Sequence, residues 1–137
     1  MRVRGKKQSA AYRQHEAERN AFLVEFGSVC AVCGAWRSTS VHEITPGRNR
    51  MRAFGVRAAW LPTCAVCNCG RLMDKIEWPL ARQLALKLIV DPEYFCLLSV
   101  RKIFAPEGTH ELFLPVVVTE ADVLGQVKQL LTERRGG

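Results

Sequence analysis

The sequence predicts an α+β fold: a small cysteine-braced core with two short strands, flanked by helices. Three observations point to it. Two C-x-x-C pairs, Cys30-Ala-Val-Cys33 and Cys64-Ala-Val-Cys67, bracket two short runs rich in β-branched and aromatic residues. Helical apolar periods stand on both sides of that core, most clearly at Leu80, Leu84 and Leu88 with Ala81, Ala85 and Ile89. The length, 137 residues, suits one domain, organised as a basic tail and helix (1–27), the zinc-braced core (28–78) and a helical extension (79–137).

Each element has its own local reason. From Ser9 to Phe26 good helix formers dominate and Gly27 stands where a helix would stop; His15, between Gln14 and Glu16, is expected to face solvent. Ser38 to Thr45 reads as a strand through Thr39, Val41 and Ile44, ended by Pro46-Gly47. Arg48 to Arg57 reads as a loop, Trp60 to Thr63 as a short strand, and a helix is expected after Cys67. Pro79 suits the first turn of the Leu80 helix, and Asp91-Pro92-Glu93 stops it and starts another that runs to about Phe104. Leu112 to Val118 reads as a strand or extended segment. Thr119-Glu-Ala-Asp122 resembles a capping box that opens a last helix to about Glu133, with a frayed tail beyond.

Composition narrows the class. Apolar residues make up 48% and charged residues 24%, a globular rather than a disordered balance. The longest apolar run, Leu112 to Val118, is interrupted by Pro115 and falls far short of the ~20 residues of a membrane span. The polar stretch through Asn20 lacks the apolar core of a secretion signal, so a cytoplasmic protein is expected. Net charge is +7 and unevenly placed: residues 1–75 carry 13 basic and 5 acidic side chains, residues 76–137 carry 7 and 8. A polyanion would meet the first half, because phosphate affinity comes from Lys and Arg displacing counterions. Arg48, Arg50, Arg52 and Arg57, with no acidic residue among them, form the densest basic cluster and are the candidate nucleic-acid contacts.

Six cysteines in a chain with no secretion signal point to metal rather than disulfides. Cys30, Cys33, Cys64 and Cys67 supply four thiolates, a closed tetrahedral set suited to structural Zn²⁺. Gly34 lets the backbone turn its amides toward the sulfurs. Cys69 and Cys96 remain over and read as small apolar fillers.

The order of knuckle, Val41-His42-Glu43-Ile44 strand, basic loop, Trp60-Leu61 approach and Cys64-x-x-Cys67-Asn68 resembles the HNH or ββα-metal (His-Me finger) nuclease family over Val29 to about Trp78. The Trp78-Pro79-x-Ala81-Arg82-Gln83 run and Asp91-Pro92-Glu93 look like small phage-encoded members. That resemblance implies a ββα-metal core in which a hairpin and a helix hold one divalent cation, Mg²⁺ or Mn²⁺, beside a zinc knuckle. His42 and Asn68 match the ligand positions, and Glu43 the position of the general base. Asn68 stands where many members have His, and a phage recombination endonuclease of this group carries the same Cys-Asn pairing. The pair His42-Glu43 replaces the usual Asp-His or His-His. By position His42 is the ligand and Glu43 the base; the reverse assignment suits ordinary pKa values better, since an exposed Glu titrates near ~4.3. Strand alternation sends neighbouring side chains to opposite faces unless the strand kinks, which Pro46-Gly47 would permit. His110-Glu111 lacks surrounding cysteines or basic residues and reads as a surface pair.

Two functions follow. One is a metal-dependent DNA endonuclease hydrolysing phosphodiester bonds; the other is a zinc-braced nucleic-acid or protein binding module that keeps the nuclease fold without its chemistry.

Overall fold

The structure, a computed structural model, describes residues 6–26, 29–44, 53–68, 72, 78–104 and 118–136. Helix α1 (Lys6–Phe26) leads to strand β1 (Ser40–Glu43), a 3-10 turn (Arg57–Ala59), strand β2 (Trp60–Thr63) and a single helical turn, α2 (Ala65–Cys67). Helices α3 (Leu80–Val90), α4 (Leu97–Phe104) and α5 (Glu120–Gly136) complete a mixed α+β chain. Among the described residues, no helix is long and apolar enough to cross a membrane.

The two strands form one antiparallel hairpin in which His42 pairs with Leu61 and Glu43 with Trp60. Ile44 N–H extends the ladder by donating to Ala59 O at 2.7 Å. Pro62 interrupts nothing, because a two-stranded sheet needs no donor on its outer side. The outer side is used all the same: Pro62 O accepts from Ala31 N–H at 3.0 Å, tying the first cysteine pair to the strand that leads into the second.

The core is continuous across the chain. Phe22 of α1, Val41 and Leu61 of the hairpin, Leu80, Leu84 and Leu86 of α3, Val100 and Ile103 of α4, and Val123 and Leu130 of α5 belong to one buried cluster. Helix α3 is buried almost all round, so its polar residues Gln83 and Lys87 are carried inside as well. Helix α5 packs against α3, and Arg82 Nη2 meets Glu133 Oε2 at 2.6 Å between them.

Strand β2 and the Asp91-Pro92 break lie where the sequence predicts, the break being a 3-10 turn (Pro92–Tyr94) before α4 starts at Leu97. The capping box is real: Thr119 N–H donates to Asp122 Oδ2 at 2.9 Å and Asp122 N–H to Thr119 Oγ1 at 3.1 Å. Other expectations need correction. Strand β1 is shorter than Ser38–Thr45, Pro79 is the N-cap of α3 rather than its first residue, and α5 continues through Arg134 and Arg135 to Gly136 where fraying was expected. His15 does not face solvent. It is 3% exposed, stacked on the Phe54 ring at 3.8 Å, because it shares the inward face of α1 with Phe22 and Phe26, seven and eleven residues on. Arg48, Arg50, Arg52, Cys69, most of the segment expected to be helical after Cys67, His110-Glu111 and all of the Leu112–Val118 run but Val118 lie outside the described residues.

Candidate metal centre and the two faces of the hairpin

The four cysteines converge. Their Sγ atoms all lie within 4.8 Å of one another. Cys33 Sγ and Cys64 Sγ are 3.9 Å apart, against the about 3.8 Å edge of a tetrahedron with Zn–S bonds of about 2.3 Å. Local backbone builds the cage. Gly34 adopts φ +66°, a left-handed turn that a side chain would strain, and Ala35 N–H then donates to Cys33 Sγ at 3.5 Å. Cys30 N–H closes the loop on Trp36 O at 2.8 Å. The bond from Ala35 lowers the Cys33 thiol to about 6, while burial pushes the Cys67 thiol up. Such a set can hold a metal such as zinc, whose charge would keep all four sulfurs deprotonated.

Asn68 follows directly, its N–H bonded to Cys64 O at 3.0 Å, so the cysteine turn positions its side chain. His42 sits against it. The hydrogen-bond network fixes how these two meet. Gln83 Nε2 donates to Leu72 O at 3.1 Å and Trp78 O at 2.7 Å, so Gln83 Oε1 is the atom that accepts from His42 Nε2–H at 2.7 Å. On the other side, Thr63 Oγ1 donates to Ser40 O and Ser40 Oγ donates to Thr63 O, leaving Ser40 Oγ to accept from Asn68 Nδ2 at 3.4 Å. Asn68 Oδ1 therefore faces His42 Nδ1, at 3.1 Å. In a neutral imidazole protonated on Nε2, Nδ1 carries a lone pair, and two acceptors then oppose each other. A metal cation shared by the two atoms would satisfy both, and so would an Asn68 amide turned to donate Nδ2–H to Nδ1. The separation is that of neighbouring ligands on an octahedral ion with bonds of about 2.1 Å, about 3.0 Å. One imidazole nitrogen and one amide oxygen form an open, mixed donor set compatible with Mg²⁺ or Mn²⁺.

Glu43 goes the other way. Strand alternation turns it from the His42 face toward α1, where His15 Nε2 meets Glu43 Oε1 at 3.2 Å, both side chains buried. The structure thus brings His42 and Asn68 together and directs Glu43 to His15.

Arg57, read as a nucleic-acid contact, has its guanidinium engaged within the chain. Its guanidinium meets Asp91 through both Nε (3.1 Å) and Nη2 (3.3 Å) and Glu25 at 2.8 Å, and it covers the Tyr94 ring at 3.8 Å. Desolvation works against its charge, but the bonds to Glu25 and Asp91 outweigh it and raise the pKa above the usual range. Arg57 is a structural clamp because Glu25 and Asp91, distant in sequence, converge on it.

Sequence reasoning missed Gln83, His15 and Trp36. A glutamine within the apolar face of α3 was the signal for the first; the seven-residue spacing to Phe22 was the signal for the second. Trp36 is 68% exposed, which its position between a cysteine pair and a strand does not reveal.

Comparison with protein-family models, curated proteins and solved structures finds no match for this chain.

Proposed function

We propose that the protein is a metal-dependent DNA endonuclease of the HNH type, its fold braced by structural Zn²⁺ on Cys30, Cys33, Cys64 and Cys67. The observation that carries this reading is the meeting of His42 Nδ1 and Asn68 Oδ1 at 3.1 Å, one residue from the cysteine cluster. His42 and Asn68 would hold Mg²⁺ or Mn²⁺. When bound, such an ion polarises a phosphodiester and stabilises the leaving oxygen. The chain's own residues orient the site: Gln83 fixes the His42 tautomer, the cysteine turn aims Asn68, and the basic first half, with Arg48, Arg50 and Arg52, attracts the phosphate backbone. Glu43, which the resemblance puts in the position of the base, lies against His15 on the opposite face of β1 from His42, so in this reading it anchors helix α1 and the attacking water gives its proton to another acceptor.

One observation favours the second reading, a DNA or protein binding module without chemistry: Glu43 is already bonded to His15 on the opposite face from His42. Cleavage assays separate the two. Zinc-loaded protein should nick duplex, single-stranded or branched DNA with Mg²⁺ or Mn²⁺ and stop when EDTA is added briefly enough to spare the zinc. His42→Ala should abolish cutting, and Asn68→Ala should raise the metal concentration required with zinc content intact. Glu43→Gln should abolish cutting if Glu43 takes the proton and leave it if Glu43 serves only to hold His15. Protein that binds DNA and never cuts it under these conditions is the binding module.

A further inference from the structure

Trp36 is the one tryptophan left in solvent. The chain has three; Trp60 and Trp78 are 3% and 5% exposed, whereas Trp36 is 68% exposed. Its backbone is tied down all the same, since its carbonyl accepts from Cys30 N–H at 2.8 Å in the turn that also wraps Cys33. Val29, beside Cys30, and Val66, inside the second cysteine pair, are exposed too. The convergence of the cysteines therefore presents a small apolar surface around the cluster. Arg37 follows Trp36 in the chain, is exposed, and is the only charged residue among positions 29–39 and 60–68.

The size and charge of this surface select its occupant. A stable protein interface buries about 800 Å² on each partner, whereas one tryptophan offers about 150–250 Å² and two valines add little. Four thiolates around a divalent ion would leave the cluster net negative, so a phosphate is not the natural first contact there. A flat, uncharged ring face is. Every base has such a face, and a rigid exposed aromatic stacks on it once the base is unpaired. The basic surplus of the same half of the chain supplies the long-range attraction.

We propose that Trp36 is a stacking platform for an unpaired nucleotide base, with Arg37 beside it for that nucleotide's phosphate. Resting on the nuclease reading above, this names the substrate class as DNA with single-stranded or splayed bases. Trp60 and Trp78 are buried but emit as well, so the emission of Trp36→Ala gives their baseline and the difference reports on Trp36.

Zinc-loaded protein, without Mg²⁺ or Mn²⁺ so that DNA stays whole, is titrated with a thymidine oligonucleotide of about 12 nucleotides and with the matching duplex, following tryptophan emission and the anisotropy of labelled DNA. The single strand should quench the emission. Trp36→Ala should weaken single-strand binding about tenfold and leave duplex binding and zinc content unchanged, and Trp36→Phe should keep most of the affinity. Should Trp36→Ala lose zinc, the emission change of the wild type and the affinity of Trp36→Phe decide. Unmoved emission with the single strand bound, or equal losses on both forms of DNA, overturns the platform. If duplex is bound, and cut once Mg²⁺ is supplied, while Trp36→Ala changes nothing, only this inference falls. If neither form of DNA is bound, the nuclease reading falls with it. A dimer seen in sedimentation that Trp36→Ala dissolves, with DNA binding unaffected, assigns the surface to a second protein chain instead.

Discussion

Two polar clusters sit beside the hairpin, and they differ in what they join. In the first, Lys87 Nζ donates to Trp60 O at 2.8 Å and Asp91 Oδ2 at 2.7 Å, while Arg57 holds both Asp91 oxygens and reaches Glu25. Two cations meet two carboxylates and each contact joins a donor to an acceptor. In the second, His42, Asn68 and Gln83 are just as closely held, through bonds at 3.1 Å and 2.7 Å between neutral side chains. The first closes on itself; the second, in the proposed reading, offers His42 Nδ1 and Asn68 Oδ1 to a shared cation. Burial alone distinguishes nothing here, since both histidine and lysine are inside.

The largest break removes both clusters together. The cysteine cage holds the end of β2 and the turn that aims Asn68, and structural zinc in small domains is worth about 10–16 kcal/mol of folding free energy. Prolonged chelation, or Cys64→Ser, should therefore abolish cooperative unfolding in circular dichroism. Folded protein found free of zinc by elemental analysis would dismiss this account of the fold, while Cys96→Ala should leave zinc content unchanged.

The next break is confined to the closed cluster. Asp91→Ala leaves the buried Lys87 without a carboxylate and the half-buried Arg57 with Glu25 alone, and loss of one partner of a buried pair costs about 3–5 kcal/mol in comparable cases. Urea denaturation should show the loss, and a cost below about 1 kcal/mol would mean that Glu25 and the Trp60 carbonyl carry the cluster alone. Metal binding at His42 should not change beyond what the weaker fold explains.

How much of this contrast the sequence carried depends on the range of each interaction. The C-x-x-C pairs, the Thr119-Asp122 box and the Trp60–Thr63 strand are local signals, settled within a few residues, and the structure agrees with them. The neighbour relation of His42 and Asn68 was reachable only through a family resemblance, because 26 residues separate them. The partners of Glu43 and Arg57 were beyond reach. Glu43 is claimed by His15, 28 residues earlier, and Arg57 by Asp91, 34 residues later; alternation and composition constrain which face a side chain takes but not what waits there. The basic stretch containing Arg48, Arg50 and Arg52 lies outside the described residues, so its reading still rests on charge alone.

The closed cluster also has a pH signature. Burial pulls the Lys87 pKa down to about 8, against the opposing pull of Asp91. A folded pKa below the unfolded one means that the unfolded chain binds more protons between about 8 and the ordinary lysine value of 10.5. Stability contributed by this group should therefore rise as pH climbs through that window. Asp91 acts at the other end: burial raises its pKa, the bonds from Arg57 and Lys87 more than reverse this, and the stability they supply is lost as pH falls through its lowered value. Urea midpoints of wild type and Lys87→Met, compared from pH 7 to 10.5, isolate the first effect. Equal slopes for the two proteins would show that Lys87 does not titrate there.

The smallest expected effect probes the open cluster most directly. Gln83 touches no substrate in the proposed site; it accepts from His42 Nε2–H and so leaves the Nδ1 lone pair pointing at Asn68. Gln83→Met keeps the volume but frees the imidazole to carry its proton on either nitrogen. Partners of this kind, one bond removed from a metal, change affinity about 10–100-fold when lost. Mn²⁺ titration followed by electron paramagnetic resonance should show a weakening of that order, with the zinc content unaltered. The variant also strands Leu72 O and Trp78 O, which Gln83 Nε2 serves, so the fold weakens as well. Affinity measured well below the unfolding midpoint separates the two consequences. Unchanged Mn²⁺ affinity in a folded Gln83→Met protein, or no Mn²⁺ bound by the wild type, would make the contact of His42 with Asn68 a structural hydrogen bond like those of the first cluster.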